Sequence, residues 1–137
     1  MHHPPTALIA VVIAGLAWTA TPLDADKAAQ TVKHVMTTMT VPASDAIFSA
    51  ASEPPADDAQ WVALRASAKA LADSGRVLTT AAPAEDDAEW TEMARALVTE
   101  AETTLKAIDA KDPDALSQAA DSMYVTCKNC HDRYMSR

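Results

Sequence analysis

Hydrophobic residues recur at intervals of three and four along most of this chain, and that spacing is the strongest constraint on its fold. Residues three and four apart lie on one face of an α-helix, so the spacing predicts amphipathic helices rather than strands. The composition agrees, because 31 of the 137 residues are alanine, the best helix former, and only 2 are glycine. Only 4% of the residues are aromatic, so the core has little bulk. We therefore expect a single all-α domain.

The first predicted helix covers roughly residues 24–40. Proline disfavours a helical conformation in the residue before it, so we expect Pro42 to end this helix. A connector is expected to follow over residues 42–56, in which Ile47 and Phe48 form a small hydrophobic plug.

Aspartate opens each of the three later helices, at Asp57, Asp86 and Asp112. Its side chain can accept hydrogen bonds from backbone N–H groups of the first turn. Gln60 and Glu89, three residues further on, have capping-box spacing in two of these helices. The apolar stripes comprise Trp61, Leu64, Ala68, Leu71, Gly75 and Leu78; Trp90, Ala94, Leu97, Ala101, Leu105 and Ile108; and Leu116, Ala120, Met123, Cys127, Cys130 and Tyr134. Four helices joined by connections of about 3 to 16 residues predict an antiparallel four-helix bundle.

The amino-terminal region predicts a secretory signal peptide. Residues 6–18 form one apolar run, which is shorter than the roughly 20 residues that span a bilayer. Small residues follow the run, as they do at a signal cleavage site. We expect residues 1–20 to be the signal peptide and residues 21–137 to form the mature domain in the periplasm. An uncleaved membrane tether is the alternative.

The charge of the chain excludes several kinds of partner. Its 19 acidic and 11 basic residues give a formal net charge of −8, which nucleic acid would repel. No long basic run is present, so the mature domain is not expected to bind an anionic membrane surface. Lys33, Lys128, Arg133 and Arg137 are expected either to form a local basic rim that suits an acidic partner protein or to be scattered, solvated charges.

Cys127, Cys130 and His131 form the pattern Cys-x-x-Cys-His, which is the attachment signature of c-type haem. Positions i, i+3 and i+4 share one helix face, so both thiols can form thioethers with one porphyrin while the imidazole binds its iron. A thioredoxin-like redox pair needs a βαβ context, and a zinc site needs a fourth ligand nearby; the sequence offers neither. We therefore predict one covalently bound haem c.

The motif lies on the last predicted helix, within the segment CKNCHDRY. In this position of the motif the chain resembles the class II cytochromes c, which comprise the cytochrome c prime group and its low-spin monohaem relatives. The resemblance covers residues 24–137, and KHVMTTMTVPASDAIF is similar to the first-helix region of the monohaem relatives. It implies a left-handed four-helix bundle with haem between the helices and His131 as the proximal iron ligand. Tyr134, one turn after His131, is expected to pack against the porphyrin.

The resemblance implies that the protein is not an enzyme. It implies a monohaem cytochrome that carries single electrons between redox partner proteins, as a monomer or a homodimer. In the low-spin members a first-helix methionine is the other axial ligand, and Met36, six residues before Pro42, matches it.

Two alternatives to Met36 remain: Met39 as the ligand, or no protein ligand on this side of the iron. Met39 shares the inward face of the first predicted helix, whereas His34 lies about 200° from Met36 and is expected to face solvent. With no protein ligand on this side the iron is five-coordinate, as in the cytochrome c prime members. The alternative function is then a haem protein that binds nitric oxide or carbon monoxide.

Overall fold

The computed structural model describes residue 27, residues 31–81 and residues 87–135. All regular secondary structure in these residues is helical, without strands, which confirms the expected all-α fold. The predicted signal peptide at residues 1–20 lies outside the described residues, as do Asp86 and Arg137. No helix within the described ranges has both the length and the apolar content that crossing a membrane requires.

Four helices make up the described part of the chain. The first contains a π-helical turn, Met36–Thr40, which runs directly into the α-helix α1, Val41–Ser52. The others are α2 (Asp58–Thr80), α3 (Asp87–Asp109) and α4 (Pro113–Tyr134). α1 packs against α2 and α4, and α3 packs against the same two helices, so the contacts close into a ring. The arrangement is bundle-like.

The expected helix end at Pro42 is wrong. Residues 31–35 are helical, the π turn follows, and the backbone stays helical through Pro42 to the end of α1. The backbone N–H of Val41 donates to the carbonyl of Met36, five residues back instead of four. In a regular α-helix the proline ring clashes with the carbonyl four residues earlier. The wider π turn gives the ring room and lets the helix continue.

The predicted connector is therefore mostly helix. Ile47 is fully buried on α1 and Phe48 is half-buried beside it, so both lie on a helix rather than in a loop plug. The helical conformation is interrupted at residues 53–57, around Pro54 and Pro55.

The helix caps follow the sequence pattern with one difference. Asp57 accepts a hydrogen bond from the backbone N–H of Gln60 at 2.9 Å, as predicted. The Gln60 side chain accepts from the N–H of Ala56 at 2.9 Å, one residue before the partner that a capping box requires. Asp112 caps α4, where its carboxylate accepts two backbone N–H groups at 3.0 Å.

The predicted stripes of α2, α3 and α4 form the core. Most of their members are buried, and Leu105, Cys127, Cys130 and Tyr134 are half-buried against the core. At Gly75 the backbones of α2 and α3 approach each other closely. A Cβ atom at this position would lie 2.8 Å from Cγ2 of Val98 and 3.3 Å from the carbonyl oxygen of Ala94.

The turn between α3 and α4 contains a residue in the left-handed conformation, Lys111, with φ of 51°. Its N–H donates to the carbonyl of Ile108, and the N–H of Asp112 donates to that of Ala107, both at 3.0 Å. This pair of bonds is a Schellman ending, which usually has glycine at the left-handed position. The Lys111 side chain contacts Asp58 at 2.6 Å, which ties this turn to the start of α2.

Candidate functional site

One cleft brings together most of the residues that the sequence singles out. Its walls come from the π turn and from all four α-helices, and they are almost entirely apolar. The cavity volume is about 220 Å³, and the empty space including the open mouth is about 860 Å³. The cavity is smaller than the roughly 300–1,000 Å³ of typical ligand and cofactor sites, but its apolar walls with a few convergent polar groups have their character. The cleft is therefore the candidate site.

The α4 wall of the cleft carries Cys127, Cys130 and His131. Their i, i+3, i+4 spacing places them on one face of the helix, as predicted. Both cysteines are half-buried, and no disulfide joins them. Burial raises the pKa of both thiols above its ordinary value, and the neighbouring Cys127 adds to the effect at Cys130. Both side chains are therefore neutral thiols at pH 7.

The first helix contributes Met36, which is half-buried and lines the same cleft. Met39 is also half-buried against the core, but it does not belong to the cleft wall. His34 is exposed, as predicted. Of the three first-helix residues considered from the sequence, the structure brings only Met36 together with the Cys-x-x-Cys-His motif.

The sequence analysis did not assign Val41 to the site, nor three further cleft residues on the first helix: Thr40, Ser44 and Phe48. These three follow Met36 at steps of four, which is helical spacing. On a regular helix these steps drift by about 120° between Met36 and Phe48, so the spacing is a weak signal, and the expected helix end at Pro42 assigned the latter two residues to a loop.

A second thioether in the cleft was also missed. Met93 on α3 lines the wall beside Ala94 and Leu97, which the apolar stripe of α3 did predict as inward-facing. Met93 lies beside that stripe on the helix surface, so a prediction limited to the residues of the stripe omits it. The cleft therefore holds two methionine side chains, Met36 and Met93, from different helices.

Trp90 forms a fixed part of the cleft wall where α2, α3 and α4 meet. Its indole Nε1–H donates to the carbonyl of Leu78 at 2.7 Å, and its ring meets Tyr134 edge-on, with centroids 4.9 Å apart and planes at 76°. Such aromatic pairs contribute about 0.5–1.5 kcal/mol beyond the area they bury. Tyr134 thus supports the cleft through Trp90, and its own contact with a porphyrin stays a prediction.

The basic residues of α4 near the cleft are paired with acidic neighbours. Lys128 donates to Asp132 one turn later on the same helix. Arg133 contacts both carboxylate oxygens of Glu89 on α3, Oε2 at 3.1 Å and Oε1 at 3.2 Å, and its guanidinium lies 5.4 Å from the Tyr134 ring centre. Two cations of the expected basic rim are therefore neutralised locally.

The residues of the cleft fit an iron porphyrin. Imidazole and thioether groups are established axial ligands of haem iron, and two thiols at i and i+3 match covalent attachment. The apolar walls suit a large, flat hydrophobic group. Within the described residues, no group of three or more His, Cys, Asp or Glu side chains is placed to hold a bare metal ion. No protein-family model, curated protein or solved structure matches the chain.

Proposed function

We propose that the chain is a periplasmic monohaem c-type cytochrome that carries single electrons between redox partner proteins. The observation that carries the proposal is the meeting of two distant segments in one apolar cleft. The Cys-x-x-Cys-His motif lies on α4, and Met36 lies far earlier in the sequence, on the first helix. A chance motif would have no reason to face a cleft that also holds a soft axial ligand from another helix.

Each residue of the motif has a distinct role in this proposal. Cys127 and Cys130 would hold the haem covalently, each thiol adding across one vinyl group so that a C–S bond forms and the thiol proton goes to the other vinyl carbon. No oxidant would be needed, since the vinyl double bond is consumed. His131 and Met36 would hold the iron through an imidazole nitrogen and a thioether sulfur.

Bound haem supplies a reversible one-electron change at its iron. The chain's own residues set the conditions for that change. The apolar walls exclude water from the cleft, and a methionine ligand raises the reduction potential relative to two histidines. Small side chains at Thr40, Ser44 and Ala94 leave the space that a porphyrin would fill. The same proposal includes an antiparallel four-helix bundle of the class II cytochrome c type, completed by the haem.

Covalent attachment is the first test. The chain should be produced in a bacterial host that matures c-type cytochromes, and its intact mass should exceed the mass of the polypeptide by one haem. Cys127→Ala combined with Cys130→Ala should abolish the increase. A wild-type chain without covalent haem in that host would overturn the proposal.

Axial ligation is the second test, and the methionines of the chain provide matched variants. The wild-type ferric protein should have a low-spin absorption spectrum with a methionine-to-iron band. Met36→Leu should convert it to high spin, whereas Met39→Leu and Met93→Leu should leave it unchanged. Loss of the band only in Met93→Leu would move the ligand to α3. A high-spin wild-type spectrum that changes with carbon monoxide or nitric oxide would favour the five-coordinate, gas-binding function instead.

A further inference from the structure

The first helix changes its hydrogen-bonding pattern directly beside the cleft. Across Met36–Thr40 the backbone bonds span five residues, and the Thr40 hydroxyl donates at 3.4 Å to the carbonyl of Val35, also five residues back. Pro42 follows at once on the carboxyl side. Single π turns within α-helices are rare and are found frequently at functional sites.

This π turn decides which way Met36 faces. A regular α-helix advances about 100° per residue, so Met36 would lie about 80° from Ser44 and about 120° from Phe48 around the axis. The π turn uses one additional residue for the same rotation. Both separations then fall to about 20°. Met36 consequently lines the same cleft as Ser44 and Phe48.

The buried residues on the neighbouring face of this helix provide an independent check. Val35 is 3% exposed and Ile47 is fully buried. In a regular α-helix these two side chains would point about 120° apart, which exceeds the width of a typical core-facing stripe. Because the π turn uses one additional residue for the same rotation, the Val35 and Ile47 side chains point within about 20° of each other, and both lie in the core.

Pro42 explains why the turn occurs at this position. It has no N–H to donate, and in an α-helix its ring would clash with the carbonyl of Thr38. The Thr38 hydroxyl donates to the carbonyl of His34 at 2.7 Å, and Thr37 donates to that of Lys33 at 2.9 Å. Hydroxyl bonds of this kind to the preceding turn favour local bending of a helix.

We infer that Pro42 is a positioning residue: it holds the π turn, and the turn rotates the Met36 thioether into the cleft. The inference rests on the proposed function, since it assigns the turn to placing the distal iron ligand. It also predicts an unusual pattern of rescue, because the register of the helix, and no single side chain, decides where Met36 points.

Two changes that each break the register should cancel when combined. Pro42→Ala should let the segment relax to α-helix, which rotates Met36 away by about 100°. Deletion of Thr38 with Pro42 retained should rotate it by a similar angle in the opposite direction. In the double variant the helix is regular and Met36 is seven residues from Ser44, which again aligns them to about 20°. Thr38→Ala removes the hydroxyl without changing the length and serves as the control.

Two measurements should follow this pattern. In the holoprotein, the low-spin spectrum and the high reduction potential should be lost in each single variant and return in the double variant. In haem-free protein carrying ¹³C-methyl methionine, the Met36 methyl chemical shift, which reports the surroundings of the thioether, should move away from the wild-type value in each single variant and return to it in the double variant. The second measurement does not depend on haem or on ligation.

The outcomes separate this inference from the proposed function. A Pro42→Ala protein with the wild-type spectrum and the wild-type Met36 methyl shift would show that Pro42 does not hold the turn. A double variant as damaged as either single variant would show that helix register is not the reason. A wild-type protein without haem would overturn the proposed function, while the Met36 methyl shift would still decide the role of the turn.

Discussion

Small side chains have opposite effects in two regions of this molecule. Between α2 and α3 they bring the backbones so close that Gly75 has no space for a Cβ atom. At the cleft, Ser44 and Ala94 are equally small, yet a cavity remains in front of them. The neighbours differ, because the bulky side chains of Trp90 and Phe48 stand in the cleft wall. Whether small residues close a seam therefore depends on the side chains around them.

The largest effect should come from a substitution in the seam between α2 and α3. Leu71 on α2 is fully buried, so Leu71→Ala should lower the free energy of unfolding by about 2–5 kcal/mol, measured by urea denaturation. Val62 on the same helix is 69% exposed, and Val62→Ala should change the free energy of unfolding by less than about 0.5 kcal/mol. Similar losses at both positions would show that the seam is not tightly packed.

Gly75→Ala tests the close approach itself. The added methyl group meets Val98 and the carbonyl of Ala94, so we expect a loss of about 1–3 kcal/mol in the free energy of unfolding. Adding Val98→Ala should recover only part of the loss, because the backbone contacts at 3.3 Å remain. A neutral Gly75→Ala would show that α2 and α3 separate readily, and the contrast with the cleft would disappear.

The opposite result is expected when the cleft is filled. Ser44→Leu on α1 should raise the stability of the haem-free chain by about 0.5–2 kcal/mol, since it fills space that is empty without a ligand. The same variant should attach less haem, measured as the fraction of chains with the increased mass. Ser49→Leu, at an exposed position of the same helix, should do neither. Full haem attachment by Ser44→Leu would mean that the cleft is not the haem site.

The smallest effect should come from a turn that lies outside both regions. Lys111 is held in the left-handed conformation, which costs a residue other than glycine about 1–2 kcal/mol. Lys111→Gly should raise the melting temperature slightly, by the equivalent of about 0.5–1 kcal/mol after the lost ion pair and added chain entropy. Haem attachment should be unchanged. A decrease in the melting temperature would show that the contact with Asp58 outweighs the strain.

The sequence predicts the seam better than the cleft, for a physical reason. The stripes of α2, α3 and α4 depend only on α-helical periodicity, and their buried members were identified correctly. The cleft depends on the π turn, which shifts the register by one residue and has no strong sequence signal apart from the following Pro42. A rule that proline ends an α-helix assumes regular pitch, so Ser44 and Phe48 were assigned to a connector.

Side chains that lie next to a stripe are also hard to predict. Met93 adjoins the apolar stripe of α3, and only its neighbours on three other helices decide that it faces a cavity. Gln60 shows the same limit on a smaller scale, because its spacing from Asp57 predicts a capping box but its side chain reaches Ala56 instead. By contrast, the three residues of Cys-x-x-Cys-His and Met36 were all identified from the sequence and lie on one cleft.

The ring of helices has consequences for the order of folding. The seams α2–α3 and α3–α4 join consecutive helices, whereas the α1–α4 contact joins the two ends of the described chain. Long loops are costly to close and distant contacts form late, so this contact should be the last to form and the first to open. The first helix can then swing outward while the other three stay packed. Transient opening of this kind would widen the path by which a rigid, planar guest enters the cleft.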